Sequence, residues 1–255
     1  MMRCLVINLD RSADRLAHMA EQFARIGVAF ERVQGIETPD ATPVMLQRLT
    51  RAEICCFLSH RRCWQIIADG TDRYGAIFED DILFSHDAGP LLADDGWVPR
   101  DADLMKLETY FVPVRLGRRQ TPIGNGYSTV RLVGQHVGAA GYVVSREAAR
   151  TLLKRTKRIN GAVDDALFSP TLMTCARSTI YQLMPALCAQ AKFLGGDTPE
   201  TLIQFDVPER QWQFLEKLRT EASRGYAHLR NGTFFGTDKV DAVAFRGDSA
   251  VSAGR

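Results

Sequence analysis

Residues 75 to 84 read Gly75-Ala76-Ile77-Phe78-Glu79-Asp80-Asp81-Ile82-Leu83-Phe84, so three acidic residues interrupt an apolar run. The short apolar part, followed at once by charge, predicts a buried β-strand that ends at the acidic residues. Three neighbouring carboxylates at such a strand end repel one another and lose hydration, which is costly unless a cation offsets their charge. We therefore expect a strand of a central sheet with a functional site at its carboxyl end; a solvated acidic turn is the alternative.

Strands and helices alternate on both sides of this segment. Residues 3–9 predict a strand, residues 12–26 an amphipathic helix capped by Ser12 and ended by Gly27, and residues 110–132 a hairpin or loop. The other predicted strands are residues 28–33, 104–107, 137–144 and 179–184, and the other predicted helices are residues 51–68, 146–157, 164–173 and 208–230. This alternation predicts an α/β fold with a mostly parallel central sheet and helices on both faces.

Length and composition limit the class of protein. The 255 residues fit a single domain at residues 1–236, with a long C-terminal helix at about 208–230 and a loose tail at residues 237–255. A net charge of +2 is too small to indicate nucleic acid as the main partner. The first apolar run is too short for a signal peptide and no run is long enough to span a membrane, so we expect a cytoplasmic protein with reduced core cysteines.

Glu79 and Asp81 are the expected metal ligands. On an extended backbone these two side chains point the same way and Asp80 points the opposite way. Carboxylate oxygens suit Mg²⁺ or Mn²⁺, which bind proteins through one or two carboxylates together with substrate phosphates. Asp80 is then placed to support that site or to contact a sugar hydroxyl.

A second polar segment follows the first predicted strand. Ligands of such sheets bind beyond the carboxyl ends of the strands, and Asn8 lies there with Arg11 and Arg15, one helical turn apart at the start of the first helix. The two guanidinium groups and the helix N-terminus would suit a diphosphate or the uracil–ribose portion of a nucleotide, with Asn8 as a partner. An ordinary basic helix face is the alternative.

Several motifs together resemble glycosyltransferase family 25, which includes lipooligosaccharide galactosyltransferases and is related to the collagen galactosyltransferases. The first motifs are Glu53-Ile54-Cys55-Cys56-Phe57-Leu58-Ser59-His60, then Trp64, then Phe78-Glu79-Asp80-Asp81. Further segments agree with the family in order and spacing: residues 6–11 with Arg15, Gln34-Gly35, residues 138–145 with Ala148, residues 163–165 and residues 185–190. The resemblance extends over roughly residues 3 to 190.

The resemblance implies a GT-A-type fold, a UDP-sugar donor, a divalent cation and transfer with inversion. The expected enzyme moves a hexose, with galactose as the expected sugar, to a hydroxyl of a lipooligosaccharide or other surface glycan. Inversion needs one carboxylate to accept the proton of the acceptor hydroxyl. The candidates are Asp164, Asp165 and Glu108, the first two ahead of the third, and the alternative role of Asp164 is to cap a helix.

His60 has several possible roles. With Cys56 and Cys63 it could form a zinc site, but no fourth ligand stands at a recognisable spacing. These side chains could instead form a buried stripe from which His60 braces the acidic segment. The family resemblance adds a role for His60 in binding the donor.

One basic surface and two alternative functions also have to be considered. The basic residues between 146 and 158, with Arg115, Arg118 and Arg119, could face a phosphorylated glycolipid or the anionic inner leaflet of a membrane, or they could form a solvated helix end. The chain could also be a non-catalytic member of the same fold that binds a glycan or nucleotide. A nucleotidyltransferase ranks lower, because such enzymes usually carry a glycine-rich basic loop where residues 8–11 have no glycine.

Overall fold

The structure, a computed structural model, describes residues 2–38, 49–169, 178–194 and 239–246. The helices of these residues are α1 (Ala13–Ile26), α2 (Arg51–Asp69), α3 (Ala88–Ala93), α4 (Arg146–Arg155) and α5 (Val163–Phe168). The strands are β1 (Arg3–Asn8), β2 (Glu31–Gln34), β3 (Tyr74–Glu79), β4 (Ile82–Phe84), β5 (Leu104–Lys106), β6 (Glu108–Thr109), β7 (Pro113–Gly124), β8 (Tyr127–Leu132), β9 (Gly141–Ser145), β10 (Ile180–Met184), β11 (Cys188–Gln190) and β12 (Lys239–Ala242).

Nine of these strands form a central sheet in the order β12-β7-β8-β10-β5-β9-β3-β1-β2, and β4-β11-β6 form a small second sheet. Strand β1 runs parallel to β2 and β3, and β5 runs parallel to β10. The other five pairings of the central sheet are antiparallel. The predicted α/β fold is thus confirmed, but the sheet is mixed rather than mostly parallel.

The antiparallel part has a local cause and a non-local one. Strands β7 and β8 are joined at Asn125-Gly126, where both residues have positive φ (51° and 75°), as a tight hairpin turn requires. Such a short connection can join only antiparallel strands. Strand β9 lies between β3 and β5 and runs antiparallel to both. No local sequence pattern predicts that position.

The two faces of the central sheet belong to two hydrophobic clusters. Leu5 of β1 and Ile77 of β3 pack in one cluster with side chains of α2, α4 and α5. Val6 and Phe78, the next residues along the same strands, pack in the other cluster with α1, α3 and β4. Because successive strand residues point to opposite faces, this division confirms that helices cover both sides of the sheet.

The ends of the helices follow from local sequence. Gly27 ends α1 in the left-handed conformation with φ of 68°, as predicted. Ser12 stands at the N-cap of α1, but its side chain makes no capping hydrogen bond, contrary to the predicted role. Helix α2 starts with a capping box, in which Thr50 and Glu53 each bind the backbone N–H of the other.

The C-terminal residues differ from the loose tail predicted from about residue 237. Lys239–Ala242 pair antiparallel with β7, and the Val243 side chain that follows is buried in the core. The physical reason is that β7 would otherwise present an unpaired sheet edge, which favours the addition of a strand. The predicted helix at residues 208–230, the end of the helix predicted at residues 164–173, and Cys175 lie outside the described residues.

The cysteines and the lengths of the helices can be compared with the predictions only in the described residues. The five cysteines in this part of the chain are free thiols. In the same part of the chain, every helix is too short or too polar to cross a lipid bilayer.

Candidate active site

A cavity of about 440 Å³ opens where β1 and β3 end. Its lining includes Asn8 and Arg11 at and after the end of β1, the three acidic residues at and after the end of β3, the first turns of α2, and Asp164 of α5. This is the edge of the sheet at which α/β proteins bind ligands. The volume lies within the roughly 300–1,000 Å³ typical of small-molecule sites.

The pairing of β1 with β3 brings Asn8 to Asp80. Ile7 lies opposite Glu79 in the parallel register, so the residues that follow both strands emerge side by side. The buried Asn8 side chain donates from Nδ2 to Asp80 Oδ2 (2.8 Å) and to the Ser12 carbonyl (2.9 Å). Its Oδ1 accepts from Arg32 Nε at 3.0 Å. Asn8 thus ties the ends of both strands to the start of α1.

Asp80 forms an ion pair with Arg15. Arg15 Nη1 donates to Asp80 Oδ1 at 2.9 Å, and both side chains are nearly buried. Burial raises the pKa of Asp80 above its usual value, although the hydrogen bonds from Asn8 and Arg15 oppose that rise. The carboxylate points toward β1 and α1, as strand alternation predicts relative to Glu79.

Glu79 points instead toward α2. Its Oε1 lies 3.3 Å from His60 Nε2 and 3.8 Å from Cys56 Sγ. The His60 ring is fully buried, with Nδ1 3.0 Å from the Tyr142 hydroxyl, and that hydroxyl accepts from Trp64 Nε1 at 2.7 Å. A tyrosine hydroxyl that accepts from Trp64 can donate its own proton to His60 Nδ1, which leaves His60 Nε2–H to donate to Glu79.

Glu79 and Asp81 have pKa values shifted in opposite directions. Burial raises the pKa of Glu79, but the hydrogen bond from His60 and the charges of Lys192 and Lys106 outweigh it, so the pKa lies below the usual value. Burial and the charge of Glu79 raise the pKa of Asp81 to about 6. Gln190 Nε2 donates to both Asp81 oxygens, at 3.2 and 3.0 Å, without cancelling that rise.

Two sets of side chains in the cavity could bind a cation. The first is the predicted pair Glu79 and Asp81, both of which line the cavity. The second, also among the described residues, is Cys56, His60 and Glu79, whose ligand atoms lie within 4.8 Å of one another. Cys63, which the zinc alternative also required, is buried in the core instead.

The structure separates the three candidate bases. Asp164 lines the cavity, and its carboxylate accepts from the backbone N–H of Gly138 and of Asp165, each at 2.9 Å. Asp165 accepts from Gln135 Nε2 at 3.0 Å and does not line the cavity. The N-cap of α5 is Ala162, so the alternative capping role of Asp164 is wrong.

Glu108 is the third candidate base, and it is sealed from the cavity. Its side chain is fully buried, and Oε1 accepts from Lys106 Nζ and from the Ala140 N–H, both at 2.9 Å. Burial raises the pKa of Glu108 to about 7, against the opposing charge of Lys106. Lys106 Nζ also donates to the carbonyls of Val137 (2.9 Å) and Gly138 (2.6 Å), so this pair holds the backbone that precedes β9.

Arg11 and the basic face of α4 have different surroundings. Arg11 lines the cavity with its side chain 59% exposed, 3.8 Å from Glu37. On α4, Arg150 donates to the Ala68 carbonyl at 3.1 Å and Arg146 donates to the Thr71 carbonyl at 2.9 Å. These two arginines therefore bind the end of α2 and the turn after it, which leaves fewer residues for the predicted basic face.

Among the cavity residues that were not predicted as site residues, Tyr110, Gln190 and Lys192 come from one region of the chain's fold. Tyr110 follows β6, Gln190 ends β11 and Lys192 lies two residues later, so all three depend on the small second sheet. That sheet joins segments about 80 and 105 positions apart in the chain, and no local pattern predicts such pairings. The family resemblance at residues 185–190 was the one signal that pointed to this region.

Comparisons with known proteins identify the family of this chain. Residues 1–167 match the sequence model of glycosyltransferase family 25, described as an LPS biosynthesis protein. The lacto-N-neotetraose biosynthesis glycosyltransferase LgtE of Neisseria meningitidis serogroup B is 32% identical over 213 residues, which cover 74% of this chain and 76% of the relative. LgtB of the same organism is 31% identical, with 72% and 74% covered, and the lipooligosaccharide biosynthesis protein lic2B of Haemophilus influenzae is 25% identical, with 84% and 86% covered. Because the matched residues span well over half of the chain and include Asn8, the acidic segment and Asp164, the chain belongs to glycosyltransferase family 25.

Proposed function

We propose that this protein is an inverting hexosyltransferase of GT-A type that uses a UDP-sugar, with galactose as the expected hexose. The acceptor in this proposal is a hydroxyl of a lipooligosaccharide or other surface glycan. One observation carries the proposal: two carboxylates suited to a cation, the N-terminus of α1 with Arg11, and the carboxylate of Asp164 all line one cavity. The names of the relatives LgtE and LgtB, which refer to lacto-N-neotetraose biosynthesis, support a glycan acceptor.

Glu79 and Asp81 would hold Mg²⁺ or Mn²⁺ in this mechanism. The raised pKa of Asp81 supports this, because a nearby cation would offset both its burial and the repulsion from Glu79. The set with Cys56 fits less well, since burial raises the pKa of that thiol well above its usual value and metals bind the thiolate. A bound cation would neutralise charge on the departing diphosphate.

The donor diphosphate would lie at the N-terminus of α1 beside Arg11, where backbone N–H groups and a guanidinium favour negative charge. Asn8 and Arg15 would act indirectly, by holding Asp80 at the cavity wall. Each carboxylate oxygen can accept about two hydrogen bonds, so Asp80 can keep both partners and still accept from a sugar hydroxyl. His60 would orient Glu79 from behind.

Asp164 would act as the base. It lines the cavity, whereas Glu108 is sealed and Asp165 does not line the cavity. The acceptor oxygen would attack the anomeric carbon as the bond to UDP breaks, and the hydroxyl proton would pass to Asp164. The two backbone N–H donors on Asp164 fix the direction in which its free lone pairs point.

The test is a thermal-shift panel of UDP-sugars, with and without Mn²⁺, followed by measurement of UDP release. We expect one UDP-sugar to raise the melting temperature only when the cation is present, and the same sugar to release UDP when an acceptor is added. UDP binding by calorimetry without any cleavage of a nucleotide sugar would reject the proposal and favour the non-catalytic alternative. Cleavage of the sugar nucleotide with retention at the anomeric carbon would reject the inverting mechanism.

The cytoplasmic location and a contact with the inner membrane surface remain part of this proposal. The residues for such a contact are Lys154, Lys157 and Arg158, at and after the end of α4. Sedimentation with vesicles of anionic phospholipid, compared with neutral vesicles, tests the membrane contact. Equal binding to both kinds of vesicle would reject an electrostatic contact.

A further inference from the structure

An exposed aromatic cluster lies beside the cavity and has no part in the mechanism above. It consists of Tyr110, Phe111 and Phe193. The ring of Phe193 lies edge-on to the other two, with centroid distances of 4.6 Å to Tyr110 and 6.5 Å to Phe111. Phe111 and Phe193 are 41% and 39% exposed, and Val112 beside them is 43% exposed. A contiguous exposed apolar patch beside a cavity is a candidate binding surface.

The aromatic cluster is continuous with the cavity. Tyr110 and Lys192 both line the cavity. Lys192 Nζ lies 5.0 Å from the ring centroid of Phe193 and 5.7 Å from that of Tyr110, so the same ammonium group reaches the aromatic cluster. A ligand on the rings would therefore extend directly into the cavity that contains Asp164.

The backbone of Phe111 is held in an unfavourable conformation. Its φ is 56°, in the left-handed region that a residue with a Cβ rarely adopts. The Phe111 N–H donates to Thr109 Oγ1 at 3.0 Å, and that hydroxyl donates to the Val243 carbonyl at 2.6 Å, which anchors the turn to the segment after β12. A ring that is 41% exposed gains little from packing, so packing does not explain why the strain is kept.

We propose that the aromatic cluster is the acceptor subsite, on which the terminal pyranose ring of the glycan acceptor stacks. The inference rests on the proposed function. One face of a pyranose ring carries mainly C–H groups, which match a flat aromatic surface, while its hydroxyls stay at the rim for polar contacts. A stacked acceptor beside Tyr110 would present a hydroxyl to the cavity and to Asp164. The donor side of the cavity, after β1, comes from different elements, which leaves this side for the acceptor.

The test uses five variants and two neutral probes, methyl β-glucoside and methyl β-N-acetylglucosaminide. Phe193→Ala is expected to raise the KM for the better probe roughly tenfold, as loss of a central aromatic contact does. Phe193→Trp should restore it and Phe193→Leu should not, because the flat ring is required. Val240→Ala, an exposed apolar side chain on β12, is the matched control and should change nothing.

Phe111→Gly separates binding from folding. Glycine adopts positive φ without strain, so this variant should melt at or above the temperature of the wild type and still bind the probes more weakly. Saturation-transfer NMR from protein to probe measures that binding without any need for turnover. The donor-side readouts, UDP affinity and slow hydrolysis of the UDP-sugar by water, should not change in any of these variants.

The results that would overturn the subsite are distinct from those that would overturn the proposed function. Wild-type KM and saturation transfer in both Phe193→Ala and Phe111→Gly would exclude stacking. Roughly tenfold weaker UDP binding with unchanged probe binding would show that the rings bind the nucleotide base instead. If Phe193→Ala melts several degrees below the wild type, Phe111→Gly decides alone, and unchanged saturation transfer in that variant excludes stacking. Failure of the proposed function would appear as absence of UDP release in the wild type, and the saturation-transfer measurement would still decide whether the rings bind sugar.

Discussion

Asp81 and Glu108 both have raised pKa values, about 6 and about 7, but they stand in different surroundings. Glu108 is fully buried and has its own cation, because Lys106 Nζ lies 2.9 Å away. Asp81 lines the cavity next to Glu79, and the hydrogen bonds it accepts come from the neutral amide of Gln190. A raised pKa therefore does not by itself mark a reactive group; access from the cavity and uncompensated charge do.

Removing the charge of Lys106, the partner of the buried Glu108, should give the largest effect. Lys106→Met leaves Glu108 and the carbonyls of Val137 and Gly138 buried without their donor. We expect unfolding free energy to fall by about 3–5 kcal/mol, the usual cost of breaking a buried ion pair. Urea unfolding measures it, with the exposed Lys154→Met on α4 as the matched control. A loss below about 1 kcal/mol would show that the pair does not hold this backbone.

Removing the carboxylate of Asp81, which lines the cavity, should affect turnover instead of folding. Asp81→Asn is expected to lower UDP release by roughly 10²–10³-fold with Mn²⁺ present, comparable to the loss of one group that stabilises developing charge. Its melting temperature should stay the same or rise, because the repulsion from Glu79 is removed. Asp69→Asn, on the exposed end of α2, is the control. Full turnover in Asp81→Asn would contradict the proposed cation site.

Titration of Glu108 should give the smallest of the three effects. Its pKa is raised from 4.5 to about 7, so between these values the folded state keeps a proton that the unfolded chain loses. The contribution of Glu108 to stability therefore falls as pH rises through this window. Glu108→Gln cannot titrate, so its stability relative to the wild type should rise by up to about 3 kcal/mol from pH 4.5 to 7.

Urea unfolding of Glu108→Gln and the wild type at several pH values across that window measures the change. A difference that is constant with pH, or that grows in favour of the wild type, would contradict the shifted pKa. Turnover of Glu108→Gln should stay within a few-fold of the wild type at pH 7. A loss as large as that of Asp81→Asn would place Glu108 in catalysis and remove the distinction between the two regions.

The part of the fold that local patterns could predict is the part that local interactions determine. The apolar strands that became β1 and β3, each followed at once by polar residues, were enough to bring Asn8 and the acidic segment to one edge of the sheet. The order of the strands was not predictable in this way. The insertion of β9 and the addition of β12 depend on pairings between distant segments, which leave no periodic trace in the sequence.

Local patterns likewise predict only part of the candidate site. The acidic segment, Asn8 and Arg15 could be predicted as candidates because residue type and strand position together indicate their chemistry. The three carboxylates Asp164, Asp165 and Glu108 could not be ranked from the sequence, because burial separates them and burial is a tertiary property. Lys192 and Gln190 were missed because they reach the cavity only through the small second sheet.

The chain of hydrogen bonds from Trp64 through Tyr142 and His60 to Glu79 has an optical consequence. The indole is fully buried, so its emission depends on the strength of its hydrogen bond rather than on solvent. In a protein with Trp97 and Trp212 replaced by phenylalanine, the emission of Trp64 alone should respond when a cation draws charge from Glu79. The wild-type architecture thus contains an intrinsic fluorophore three hydrogen bonds from the carboxylate, which can report ligand arrival in real time without a label.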